Sequence, residues 1–253
     1  MKLSRPALGR IALIDEIRGF SILCMILYHG VYDFLMLFPV SFPFFYSGFV
    51  NGLRTFFAGV FIFISGTACR FSRNNLKRGI LCLGCGLIMT IATALVIPEE
   101  TIVFGILHML GTSMIIFAVI RPLWDKLPRI FALILSVFLF LFTWNLSKGF
   151  VGIAPFFQIP LPDAWYQSNW LSPLGIYNPR TFSSGDYFAL FPWLFLFLAG
   201  SVCGDWIQKH QAPHWVYRSH SRFLAATGRY TLYIYLIHQP IIFGLLLLIR
   251  NLF

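Results

Sequence analysis

Apolar residues run in long stretches along the whole chain, broken at intervals by short segments rich in basic residues, proline or glycine. A helix rises 1.5 Å per residue, so about 20 apolar residues cross the roughly 30 Å of hydrocarbon in a bilayer. Seven stretches meet or approach that length: 19–38, 53–69, 79–97, 103–120, 130–144, 187–207 and 230–249, the fifth being the shortest. In lipid a helix satisfies its own backbone, whereas an open strand does not. The pattern therefore predicts an all-α integral membrane protein with a bundle of about seven transmembrane helices. No low-complexity linker interrupts the series, and one domain over 1–253 is expected.

One connection is long. Residues 145–186 hold Pro155, Pro160, Pro162, Pro173 and Pro179 together with Trp165, Tyr166, Trp170 and Tyr177, and show no sustained period. Loops of this length tend to act as lids, binding loops or surface caps. Their aromatic residues suit anchoring at lipid headgroups or stacking on sugar rings.

Composition strengthens the membrane assignment. With 58% apolar and only 11% charged residues, a soluble chain of this length has too little polar surface to cover itself. The net charge of +10 raises the question of nucleic acid, but its distribution answers otherwise. Lys2, Arg5 and Arg10 precede the first span, and Arg70, Arg73, Lys77 and Arg78 fall between the second and third. Arg121, Lys126 and Arg129 lie between the fourth and fifth, and Lys209, Arg218, Arg222 and Arg229 between the sixth and seventh. Cations in alternate loops mark the cytoplasmic side. The chain is thus expected to run N-in and C-out, with 145–186 as a long external loop and no nucleic-acid partner. The opposite face carries Glu99, Glu100, Asp163 and Asp186.

The first span is expected to stay in place, since Asp15, Glu16 and Arg18 interrupt the apolar core that a cleaved signal would need. Cys82 and Cys85 have the C-x-x-C spacing of a metal or redox pair, but no second pair or neighbouring histidine completes a site. These two, with Cys24, Cys69 and Cys203, read as packing residues, and no metal is expected. A faint echo links Phe61, Phe63, Gly66 and Cys69 in the second span to Phe195, Phe197, Gly200 and Cys203 in the sixth. Similar helix packing through small residues accounts for it.

Polar groups inside hydrocarbon are expensive, so each is a functional hypothesis. His29 and Asp33 are one turn apart on one helix face. A carboxylate in that position can orient an imidazole and raise its basicity, as a general base requires, or the two can be a structural pair. His108 and His238 occupy the fourth and seventh spans. Three histidines on three helices have the composition for metal binding, a proton path or acid/base chemistry, and each also suits an interhelical hydrogen bond. Arg18, near the cytoplasmic boundary, can pair with Asp15 or present its fork to a phosphate or thioester.

Several segments resemble one family. The first span, RIALIDEIRGFSILCMILYHGVYDF, is similar to the opening of the bacterial membrane proteins grouped with the catalytic domain of heparan-α-glucosaminide N-acetyltransferase. The likeness continues in order through RTFFAGVFIFISG, FGILHMLG, SGDYFALFPWLFLFLAG and GRYTLYIYLIHQP. The spacing of Arg18 and His29 also resembles the signature of the wider transmembrane acyltransferase superfamily, whose members pass an acyl group from cytoplasmic acyl-CoA across the bilayer. The resemblance implies a catalytic role for His29, a donor-side role for Arg18, and weaker candidacy for Asp33, His108, Asp186 and His238.

The expected protein is a multi-pass transmembrane acyltransferase of a bacterial inner membrane. Acetyl-CoA would be the donor substrate and a saccharide or other envelope component the acceptor. Arg73, Lys77 and Arg78, the densest basic cluster, would add to the donor-side field. Besides acyl-CoA and acceptor the expected partners are membrane lipids, and a homodimer is compatible with such a chain. The alternative is a small proton-coupled transporter, with His29, Asp33, His108 and His238 as its relay.

Overall fold

The computed structural model describes residues 11–252, so Lys2, Arg5, Arg10 and Phe253 lie outside the described residues. Ten elements follow in chain order: α1 (Ala12–Leu37), α2 (Gly48–Cys69), α3 (Asn75–Val96), α4 (Ile106–Trp124), α5 (Arg129–Thr143), β1 (Phe150–Ile153), β2 (Phe157–Pro160), α6 (Leu190–Gln208), α7 (Arg222–Arg229) and α8 (Thr231–Leu252). Seven helices, all but α7, are long and apolar enough to cross a membrane, α5 when the turn to Lys148 is included. This is the multi-pass helical class that the hydropathy pattern predicts.

The largest departure is at the start of α1, which begins at Ala12 and not near residue 19. Its 26 residues give about 39 Å of helix, longer than the hydrocarbon needs. Asp15 and Glu16 are buried inside this extension and do not mark its end. Glu16 Oε1 accepts hydrogen bonds from Ser219 Oγ at 2.8 Å and from the backbone N–H groups of His220 at 2.8 Å and Ser221 at 3.0 Å. Helix α7, absent from the sequence reading, covers the same turns. Gly19 meets the Leu224 carbonyl and Gly228 the Asp15 carbonyl so closely that a Cβ at either place would collide with backbone. At eight residues α7 is too short to register as a span, and it is started by Ser221, whose hydroxyl accepts from the Leu224 N–H.

Other ends shift less. Helix α2 starts at Gly48, and α3 starts at Asn75 because the Asn74 side chain caps it by accepting from the Lys77 N–H at 2.8 Å. Lys77 and Arg78 therefore belong to the first turn of α3 and not to the connecting turn. Helix α4 starts at Ile106, and α6 at Leu190 with Phe191 extended ahead of Pro192, as the residue before a proline tends to be.

The described residues up to Ile64, with those from Trp206 onward, form one compact unit, and Ser65–Asp205 form a second. In the first, α1 packs against α7 and α8. In the second, α3 and α4 meet at small residues: a Cβ on Gly79 would lie 2.8 Å from the Gly111 carbonyl oxygen, and one on Gly111 2.6 Å from the Leu83 nitrogen. Part of the echo between the second and sixth spans is itself a packing contact, with Gly66 against the Phe197 carbonyl and Thr67 Oγ1 donating to the Gly200 carbonyl at 3.0 Å. Arg70 is buried there and not a loop cation. Its Nε donates to the Ser201 carbonyl at 2.9 Å, its Nη1 pairs with Asp125, and its guanidinium lies 5.1 Å from the Phe117 ring centre.

The 145–186 connection is more ordered than its sequence suggests. Strands β1 and β2 form an antiparallel hairpin with Phe150 opposite Pro160. Gly152 has φ +124°, and a Cβ on it would stand 2.5 Å from the Phe157 carbonyl oxygen, so this strand position requires glycine. Tyr166 donates to the Leu146 carbonyl and Tyr187 to the Ser172 carbonyl, each at 2.5 Å. Burial pushes both phenols above their ordinary pKa, for Tyr187 with help from neighbouring Tyr177, so both stay protonated as donors. The four loop aromatics thus divide. Tyr166 and Tyr177 pack into the loop, whereas Trp165 and Trp170 are exposed, the latter by 90%.

Candidate active site

Helices α1 and α8 bring two of the three span histidines together. The rings of His29 and His238 have centroids 5.4 Å apart at an interplanar angle of 59°. His29 also meets Tyr28, edge-on at 5.8 Å, and Tyr28 stacks on Phe45 at 5.0 Å with the Arg54 guanidinium 5.8 Å from its ring centre. His238 is buried, and its Nδ1 lies 2.7 Å from the Tyr235 carbonyl oxygen. A carbonyl only accepts, so Nδ1 carries the proton and the lone pair of the neutral ring is on Nε2.

Asp33 is 2% exposed, buried one turn beyond His29. Both of its carboxylate oxygens lie 3.0 Å from Gln239 Nε2 on α8. Carboxylate oxygens accept only, which identifies the Gln239 atom facing them as the amide nitrogen. At 1.5 Å per residue, His29 is about 12 Å and Asp33 about 6 Å from the C-terminal end of α1. The first unit therefore assembles His29, Asp33, His238 and Gln239 in one place. Such a cluster can take, hold and return a proton within apolar surroundings.

The remaining candidates have other settings. His108 and Asp186 belong to the second unit, at the start of α4. His108 Nδ1 accepts from the Gly105 N–H at 3.2 Å, which puts its ring proton on Nε2, 3.3 Å from Thr90 Oγ1. Thr90 in turn donates to the Ile102 carbonyl at 2.6 Å. Asp186 Oδ2 accepts from the Ile106 N–H at 3.3 Å. Both side chains thus satisfy backbone donors that the first turn of α4 leaves over. Arg18 lies on α1 with its Nη1 3.5 Å from Asp15 Oδ1, a long contact. Arg73, Lys77 and Arg78 are exposed around the start of α3.

Gln239 and Thr90 are the partners that sequence reasoning did not assign. Gln239 directly follows His238 in a membrane span, and a polar amide there is itself a signal, but its pairing with Asp33 joins residues far apart in the chain. The Cys82 thiol donates to the Leu107 carbonyl at 3.4 Å, in keeping with a packing role.

Residues 10–240 match the family described as heparan-alpha-glucosaminide N-acetyltransferase, catalytic. Comparison with curated proteins and with solved structures returns no match.

Proposed function

The chain belongs to the heparan-alpha-glucosaminide N-acetyltransferase catalytic family, a family of transmembrane acetyltransferases, and from that premise we propose that it transfers an acetyl group from cytoplasmic acetyl-CoA to a saccharide or other envelope acceptor on the outer side of a bacterial inner membrane. The observation that carries this reading is the pairing of His29 with His238 beside the buried Asp33–Gln239 contact.

In the proposed reaction, His29 takes the proton from an acceptor hydroxyl or amine as its oxygen or nitrogen attacks the thioester carbonyl carbon. The new carbon–oxygen or carbon–nitrogen bond forms, the carbon–sulfur bond breaks, and the thiolate leaves with the electron pair. The proton held on His29 then passes to the thiolate sulfur, which restores the imidazole. The neighbouring carboxylate of Asp33 favours the transient imidazolium, and the His238 ring, with its tautomer set by Tyr235, offers a second site for the same proton.

The donor is highly anionic, and Arg73, Lys77 and Arg78, exposed at a helix N-terminus, supply a positive field suited to its phosphates. Arg18 has the donor-side role that the family resemblance implies.

The test is acyl transfer from labelled acetyl-CoA to an envelope extract, with donor affinity measured on the same purified protein. His29→Ala is expected to cost roughly 10² to 10⁴ in turnover, the range for a lost acid/base group, while donor binding persists. A folded His29→Ala protein that transfers at the wild-type rate removes His29 from the mechanism.

A further inference from the structure

Gln239 has more capacity for hydrogen bonding than its protein neighbours use. Its Nε2 is committed to both Asp33 oxygens at 3.0 Å, and this turns the amide oxygen to the opposite side of the carboxamide. That oxygen, Oε1, is buried and has no hydrogen-bond partner among the described residues. A buried acceptor without a donor is unfavourable, and more so in apolar surroundings, so such an atom in a helix that crosses a bilayer calls for a reason. Rotating the amide gives no relief. It would set Oε1 against two carboxylate oxygens and leave Nε2 as the group without a partner.

Three features of the surroundings indicate what Oε1 receives. The Gln239 amide is held by Asp33, which is one turn from His29 on the same face of α1, so the amide belongs to the same cluster as the proposed base. Asp33, which holds the amide, is about 6 Å from the C-terminal end of α1, the end expected on the outer side where the acceptor arrives. The thioester carries no N–H or O–H at its reacting centre, whereas a saccharide acceptor is rich in both.

We propose that Gln239 Oε1 accepts a hydrogen bond from a hydroxyl or amine hydrogen of the acyl acceptor, making Gln239 an acceptor-binding residue that sets where the nucleophile stands relative to His29. The inference rests on the acyl-transfer reading of this site and adds to it a residue for acceptor recognition. Asp33 then acts as a positioning residue for Gln239, because its two oxygens fix which way the amide faces.

The experiment uses the full-length protein in nanodiscs, with acetyl-CoA as donor and D-glucosamine as the probe acceptor, for wild type, Gln239→Met and Gln239→Glu. Methionine matches the length and flexibility of glutamine but offers only a weak acceptor. Gln239→Met is expected to raise the KM for glucosamine roughly 10- to 100-fold, as loss of a buried hydrogen bond does, and to leave the KM for acetyl-CoA unchanged. Gln239→Glu keeps an acceptor oxygen and, protonated, still donates to Asp33, so it restores most of the glucosamine KM.

A role confined to tethering α8 to α1 would lower Tm and kcat in the methionine variant with no change in the glucosamine KM, and that result overturns the proposal. Equal glucosamine KM values in the methionine and glutamate variants overturn it as well. If wild-type protein transfers no acetyl group, the acyl-transfer reading fails by itself. Thermal stabilisation by glucosamine then decides the role of Gln239: stabilisation of wild type that is lost in Gln239→Met supports the binding contact, and its absence from wild type or its retention in the variant overturns it.

Discussion

At the residue scale, three histidines that look alike in the sequence have different surroundings. His29 and His238 face each other, with the His238 tautomer set by a backbone carbonyl. His108 has both ring nitrogens engaged, one by a backbone N–H of its own helix start and the other by Thr90. A neutral ring suits that pair of contacts, since one nitrogen must accept and the other donate. His108→Ala should therefore destabilise the protein by about 1–3 kcal/mol, the usual cost of leaving buried polar groups without partners. The measurement is thermal or denaturant unfolding in detergent. An unchanged unfolding midpoint would remove the capping role.

At the element scale, the extension of α1 depends on a segment just over 200 residues later. Its inner turns carry two buried carboxylates, which no isolated apolar helix would hold. Glu16 makes this tolerable by accepting from Ser219, His220 and Ser221, while Gly19 and Gly228 let α7 approach the α1 backbone. Glu16→Ala should lower stability by about 1–3 kcal/mol, because it removes hydrogen bonds to a charged acceptor and leaves backbone donors behind. Hydrogen exchange offers the local readout: the amides of 220–229 and of the first turns of α1 should lose protection together. Loss confined to 220–221 would show that Glu16 binds the loop without securing α7. The 145–186 connection follows similar logic, with Tyr166 and Tyr187 holding it through carbonyl contacts that their raised pKa values preserve.

At the scale of the whole molecule, the distribution of cations along the sequence predicts the orientation. With N-in insertion and seven crossings, a reporter fused after Phe253 should be active on the periplasmic side, and one fused in the Lys209–Arg222 region on the cytoplasmic side. Cytoplasmic activity of the C-terminal fusion would mean an even number of crossings. The least secure element is then α5, whose helix proper, Arg129–Thr143, is the shortest of the seven and reaches span length only with the turn to Lys148.

The spans were legible in the amino-acid sequence because the bilayer imposes a one-dimensional rule: enough consecutive apolar residues must cover a set thickness, whatever they later touch. The same rule singled out His29, Asp33 and His238, since polar groups are conspicuous where each is costly. Resemblance of ordered motifs carried the family, which the match over 10–240 shows. Other features depend on partners distant in sequence and were decided only by tertiary structure. These are the early start of α1, the α7 cover, the burial of Arg70 and the capping duty of His108. The Asp33–Gln239 contact belongs with them: its two residues announce themselves as polar, but only the packing of α8 on α1 brings the amide nitrogen to the carboxylate and leaves the amide oxygen buried on the other side.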